Sequence, residues 1–189
     1  MSIVIDPYES STGLRFPRTL EADLVLVSHD DQDANNVGAL QGEPFLVKEP
    51  GEYEIKGVFV FAIHAPSKTG DNVIFRIEAE EMKIAHLGAL DRELTNEELQ
   101  ELRDIDILMV PVGGGRVMDP KVAGNVIGQI EPRVVIPMTH AIPNVKEKLL
   151  TIDDFCKAMG ACRLEETNKY KVSRKDLPEE DVLIMKLSR

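Results

Sequence analysis

The first half of the chain alternates short apolar runs, rich in β-branched side chains, with Gly, Pro and acidic turns. That pattern predicts strands at Ser2–Ile5, Ala22–Val27, Phe45–Val47, Tyr53–Ile55, Val58–Ile63, Asn72–Ile77 and Met82–Ala85. Pro50-Gly51 and Gly57 mark the turns of a short meander, where glycine supplies a positive φ. The second half changes period. Thr95-Asn96-Glu97-Glu98 opens a helix with a capping box, and Leu99, Leu102 and Ile105 supply its apolar face. Asp119-Pro120 opens another, with Val122, Val126, Ile127 and Ile130 at helical spacing and Pro132 as its stop. A third spans Ile152 to Met159, capped by Thr151 and ended by Gly160. Between and after them lie strands at Ile107–Pro111, Val134–Pro137, Tyr170–Val172 and Val182–Lys186. A meander followed by alternating strands and helices predicts a β-rich, layered α/β fold rather than a doubly wound parallel sheet.

Composition narrows the class. The 189 residues suit one domain, 1–189, large enough for a sizeable core. Lys and Arg number 22 against 33 Asp and Glu, and the resulting charge of −11 argues against a phosphate-backbone binder. Lys169–Lys175 is locally basic but is followed by Asp176 and Glu179-Glu180-Asp181, which reads as a solvated face. No run approaches the roughly 20 apolar residues of a membrane span. The start, MSIVIDPYESS, lacks the form of a signal peptide. The two cysteines, Cys156 and Cys162, give neither a disulfide framework nor a zinc spacing and read as reduced helix-face or core residues. The expectation is a cytoplasmic protein that touches neither nucleic acid nor membrane.

The chemistry gathers at the histidines. His29, His64, His86 and His140 each stand at or just beyond the end of an apolar strand-like run. In layered α/β folds, ligands bind beyond the carboxyl ends of strands. Around the first, Ser28-His29-Asp30-Asp31-Gln32-Asp33-Ala34-Asn35-Asn36 is the richest segment. In an extended backbone His29, Asp31 and Asp33 project together, an N/O set suited to zinc, manganese or iron. A solvated acidic loop is the alternative. A calcium loop fits less well, because its twelfth position would be Gly42 and no helix precedes it.

The segments VIDPY, ADLVLVSHDDQDANN, GEYEIKGVFVFAIHAP, GDNVIFRIE, KIAHLGAL, DILMVPVGGG and EPRVVIPMTH, in that order and spacing, resemble the metallo-β-lactamase superfamily. Within it they look like the predicted zinc-dependent hydrolases that include ascorbate-6-phosphate lactonase. The resemblance covers about residues 3–140. It implies a four-layer αββα sandwich with a metal site at one edge of two sheets. The family's H-x-H-x-D-H motif falls on His29 to Ala34: His29 and Asp33 are kept, while Asp31 and Ala34 replace two histidines. His64 and His140 match later ligands. Ala89 stands where a bridging carboxylate is expected, and His86 lies in that motif without being a usual ligand.

These departures imply a degenerate centre with room for one ion at most. His29, Asp31 and His64 would hold a zinc, manganese or iron ion, or none is bound. His140 would be a remaining ligand, and Asp33 would orient a metal-bound water as general base. Gly113-Gly114-Gly115, followed by Arg116, matches neither dinucleotide nor P-loop patterns. Gly114, Gly115 and Arg116 are candidate substrate contacts at the pocket rim. Two functions follow: a divergent metal-dependent hydrolase of a small ester, lactone or phosphate-bearing molecule, or a binding or scaffolding module that has lost its metal. The family's N-terminal hairpin has no counterpart before Ile3, which would leave a sheet edge open to a homodimer partner.

Overall fold

A computed structural model describes residues 1–160 and 162–188. Strands β1 (Ile3–Ile5), β2 (Leu24–Leu26) and β3 (Phe45–Val47) form a small, wholly parallel sheet in that order. The large sheet has eight strands. Four of them, β4 (Gly51–Ile55), β5 (Val58–His64), β6 (Val73–Ala79) and β7 (Met82–His86), are the expected antiparallel meander. Beyond β7 the pairing turns parallel through β8 (Ile107–Pro111), β9 (Val134–Met138), β11 (Leu183–Leu187) and β10 (Leu164–Thr167).

Alternation along β2 explains how the sheets stack. Leu24 and Leu26 face the large sheet and bury against Val60, Phe75 and Ile77. Val25 and Val27 point the other way, under Phe16, Leu20 and Leu40. Helices α1 (Asn96–Glu101), α2 (Pro120–Ile130) and α3 (Ile152–Met159) belong to the layer over the other face of the large sheet. There Leu102, Val126, Ile127 and Phe155 pack on Leu108, Val110 and Val135. The result is the two-sheet sandwich that the resemblance implies, with one departure from four full layers. Among the described residues the outer face of the small sheet is covered by loops and 3-10 turns, not by an α-helix. No helix of the described residues is long and apolar enough to cross a membrane.

The predicted capping box opens α1: Thr95 Oγ1 accepts from the Glu98 N–H at 3.2 Å, and the Glu98 carboxylate accepts from the Thr95 N–H at 2.8 Å. Two local expectations are corrected. Tyr170–Val172 is not a strand; its apolar side chains pack from a loop onto Leu177, Leu183 and Met185. The edge strand is Leu164–Thr167 instead, paired in parallel with β11. Cys156 and Cys162 are not reduced: the chain returns past the end of α3, brings their Cα atoms to 5.3 Å, and the sulfurs are bonded.

Candidate functional site

The carboxyl ends of β1, β2, β7 and β8 share one rim, and each is followed by a polar or glycine-rich turn. Asp6 follows β1 and Ser28-His29 follow β2, which lie side by side in the register Ile5 to Leu26. Asp6 accepts from the Ser28 N–H and from the Ser28 hydroxyl, both at 2.7 Å. With the hydroxyl proton on Asp6, the contact of 2.8 Å between Ser28 Oγ and His29 Nδ1 makes the imidazole the donor there. His29 therefore turns Nε2 toward the pocket. Asp6, Ser28 and this tautomer are features of the site that the motif does not contain. The signal was available: two adjacent parallel strands that both end in polar residues.

The loop after His29 does not stay extended. The N–H groups of Ala34 and Asn35 both donate to the Asp31 carbonyl at 3.0 Å, and this turn brings Asp33 back over His29. Asp33 Oδ1 lies 3.1 Å from His29 Nε2. Asp31 is carried away from that alignment, and its carboxylate accepts from the Gln32 N–H at 2.6 Å. The guanidinium of Arg116 closes the cluster. It donates to Asp33 Oδ2, stands 3.3 Å from His29 Nε2, and donates through Nε to both oxygens of Glu147 at 3.0 and 3.2 Å.

The remaining histidines part company. His64 is half-exposed, with Nε2 3.6 Å from Asp71. His86 is buried; its Nδ1 accepts from the Gly88 N–H at 3.2 Å and its Nε2 lies 3.8 Å from Asp6. His140 is buried at the end of β9, with Nδ1 3.3 Å from its neighbour's carbonyl at Ala141. Gly114 uses its N–H inside the glycine turn, donating to the Met118 carbonyl at 2.8 Å. What faces solvent between these loops is a pocket of about 300 Å³, lined among others by His29, Asp31, Asp71, Asn72, Ala89 and Arg116.

Electrostatics follow the contacts. Burial works to lower the His29 pKa, but the hydrogen bond and charge of Asp33, helped by Asp6, carry it above the usual value. Burial would raise Asp33, yet His29 and Arg116 hold its carboxyl down at about 2. Burial dominates His86 and keeps it below the usual imidazole value despite Asp6. His140 is lowered by burial and by the charge of Lys186, against the bond to Ala141. The cluster can therefore hold a proton between His29 Nε2 and Asp33, or accept Arg116 at the same nitrogen when His29 is neutral.

These side chains do not fit a metal ion as they stand. Among the described residues no three His, Cys, Asp or Glu converge on one point. Ala34 and Ala89 offer no donor, and the lone pairs of Asp33 and His29 already face a guanidinium.

Comparison with known proteins accounts for the likeness. A metal-dependent hydrolase of Thermococcus onnurineus is 28% identical over 174 residues, covering 73% of this chain and 76% of its own. A structure from Thermotoga maritima, described as a zinc-dependent hydrolase of the metallo-β-lactamase superfamily, superposes with a TM-score of 0.81 at 31% identity, over 98% of this chain and 90% of its own. A further structure, from Parabacteroides distasonis, shares the fold at 16% identity, with a TM-score of 0.62 over 98% of this chain and 85% of its own. The beta-lactamase superfamily domain itself is matched over residues 1–139. The chain belongs to the metallo-β-lactamase superfamily, and relatives it resembles are named metal-dependent hydrolases.

Proposed function

We propose that this chain keeps the superfamily's rim pocket as a binding site for a small polar molecule and has given up metal-dependent hydrolysis. The observation that carries this reading is the state of position 89. Ala89 lines the pocket, its N–H donates to Asn72 Oδ1 at 2.8 Å and its carbonyl accepts from Ser67 Oγ at 2.8 Å. A methyl group fixed there leaves no carboxylate to stand between two ions, and Ala34 removes a further donor. What remains is a concave site with a few convergent polar groups, the usual form of a small-molecule pocket. His29, Asp31, Asp71 and Arg116 are among the polar side chains that line it.

The test is elemental analysis of full-length protein purified without chelator or nickel resin. It is joined to assays on lactones, carboxylic esters and phosphate esters with zinc, manganese or anaerobic iron added. The expected result is no bound metal in proportion to protein and no turnover, with polar ligands raising the unfolding temperature in a His29-dependent way. One metal per chain together with metal-dependent turnover would overturn the reading.

A second reading is favoured by the names of the relatives, metal-dependent hydrolases. In it one zinc, manganese or iron ion is held by His29, Asp31 and His64, with His140 as a further ligand and Asp33 as general base. Gly114, Gly115 and Arg116 contact an ester, lactone or phosphate-bearing substrate. It requires Asp31 and His64 to turn inward and Arg116 to leave Asp33.

A further inference from the structure

We propose that Arg116 is this chain's resident substitute for a metal ion, a fixed guanidinium that occupies the charge position between His29 and Asp33. The inference rests on the reading that metal-dependent chemistry has been given up, and it names what took the ion's place. A cation drawn to His29 Nε2 and Asp33 must bond the same lone pairs that Arg116 now faces. Every nitrogen of the guanidinium is engaged: one with Asp33, one with His29, and Nε with both oxygens of Glu147.

The chain also delivers this side chain deliberately. Arg116 follows Gly113-Gly114-Gly115, and a Cβ on Gly113 would fall 2.1 Å from the Thr139 carbonyl. Gly113 accepts from the Leu150 N–H at 2.8 Å, so the turn is anchored to the segment that carries Glu147. Through Arg116, residues separated by 87, 83 and 31 positions meet at one cation. A guanidinium suits that task. It is permanently charged, weakly hydrated, and its planar fork matches carboxylates without demanding a coordination number. A divalent ion at the same place would share the imidazole and the carboxylate, with water completing its shell, and could enter only once the guanidinium had left.

The experiment uses full-length protein and zinc chloride alone as the probe, with Arg116→Lys, Arg116→Gln and the double variant His29→Ala/Arg116→Gln. Unfolding temperature and zinc affinity, the latter by competition with a chromophoric chelator, are read for each. The wild type is expected to show no zinc-dependent rise in unfolding temperature. R116Q should unfold at a lower temperature than R116K. Changes beside metal sites move affinity by roughly 10–100-fold, so R116Q should bind zinc about tenfold more tightly than the wild type or better. Zinc should restore part of its lost stability, and the double variant should lose that response.

R116Q as stable as R116K, or folded R116Q indifferent to zinc, overturns the inference and leaves the proposed function standing. Stoichiometric, tight zinc binding by the wild type overturns the proposed function itself. Should R116Q fail to fold, Asp33→Ala/Arg116→Ala decides the matter. Removing both partners spares the chain an uncompensated charge, so a fold regained supports the inference and a fold still lost overturns it.

Discussion

Asp6 binds Ser28 twice, taking its backbone N–H and its hydroxyl at 2.7 Å each, and so fixes the first residue beyond β2 to the end of β1. Ser28 is almost wholly buried, so neither donor has water as a substitute. Asp6→Ala, which strands both donors of Ser28, should therefore cost more than Ser28→Ala, which strands only the His29 Nδ1–H. An unsatisfied buried polar group costs about 1–3 kcal/mol, which sets the expected loss for D6A, against about 1 kcal/mol for S28A. Urea unfolding of the two variants measures the difference, and equal losses would remove Asp6 as the anchor of the site.

Gly88 carries a second constraint on the same rim. Its φ is +59°, and a Cβ there would lie 2.3 Å from Asn72 Oδ1 and 2.6 Å from Ser28 Cβ. Asn72 cannot yield, because its amide donates to the carbonyls of Ala65 and Leu87, both at 3.2 Å. Gly88→Ala thus combines a left-handed backbone with overpacking, and overpacking alone costs about 1–3 kcal/mol. The expected outcome is a loss of at least that size in chemical denaturation, with weaker ligand response at the pocket. A variant within a few tenths of the wild type would show that the Asn72 and Ser28 contacts are soft.

How much of this was legible in the sequence depends on where the physical signal lies. Leu24 to Val27 announce β2 because alternate residues face two different apolar layers. Asp119-Pro120 announces α2 because the cap and the first turn are local chemistry. Leu164–Thr167 announces nothing: three of its four residues are exposed, and only backbone pairing to β11 makes it a strand. The site behaves likewise. His29 and Asp33 were readable from spacing, but the extended alignment that would include Asp31 yields to a turn closed through the Asp31 carbonyl. Arg116 and Glu147 reach the cluster from distant loops, and no local pattern encodes such a meeting.

The bond between Cys156 and Cys162 predicts a chemical outcome. Alkylation of unfolded, unreduced protein should label neither cysteine, and reduction should expose both. A closed loop of this size removes about 2 kcal/mol of unfolded-state entropy, so reduction should lower stability by that order in urea. Because Phe155 anchors α3 in the core, the helix itself should survive. Quantitative labelling before reduction would show the pair to be thiols in solution.

His86 gives the fold a sign in its response to acid. Its Nδ1 accepts from Gly88, so the buried ring is neutral and protonation would break that bond. The folded-state pKa is lowered from 6.5, chiefly by burial. The unfolded chain therefore takes up a proton below pH 6.5 while the folded one does not, and stability falls as the pH drops through that window. One such group contributes a slope of at most about 1.4 kcal/mol per pH unit. His140, also lowered by burial, adds in the same direction, whereas His29, whose pKa is raised, contributes stability that is lost on the alkaline side. Comparing wild type with His86→Asn cancels most of the His29 and His140 contributions. Asn can still accept from the Gly88 N–H but does not titrate. Urea unfolding from about pH 7.5 down to about pH 5.5 should give a shallower decline for the variant. Parallel profiles would mean that His86 titrates alike in the folded and unfolded chain, with Asp6 offsetting burial, and a steeper decline for the variant would mean that Asp6 outweighs burial.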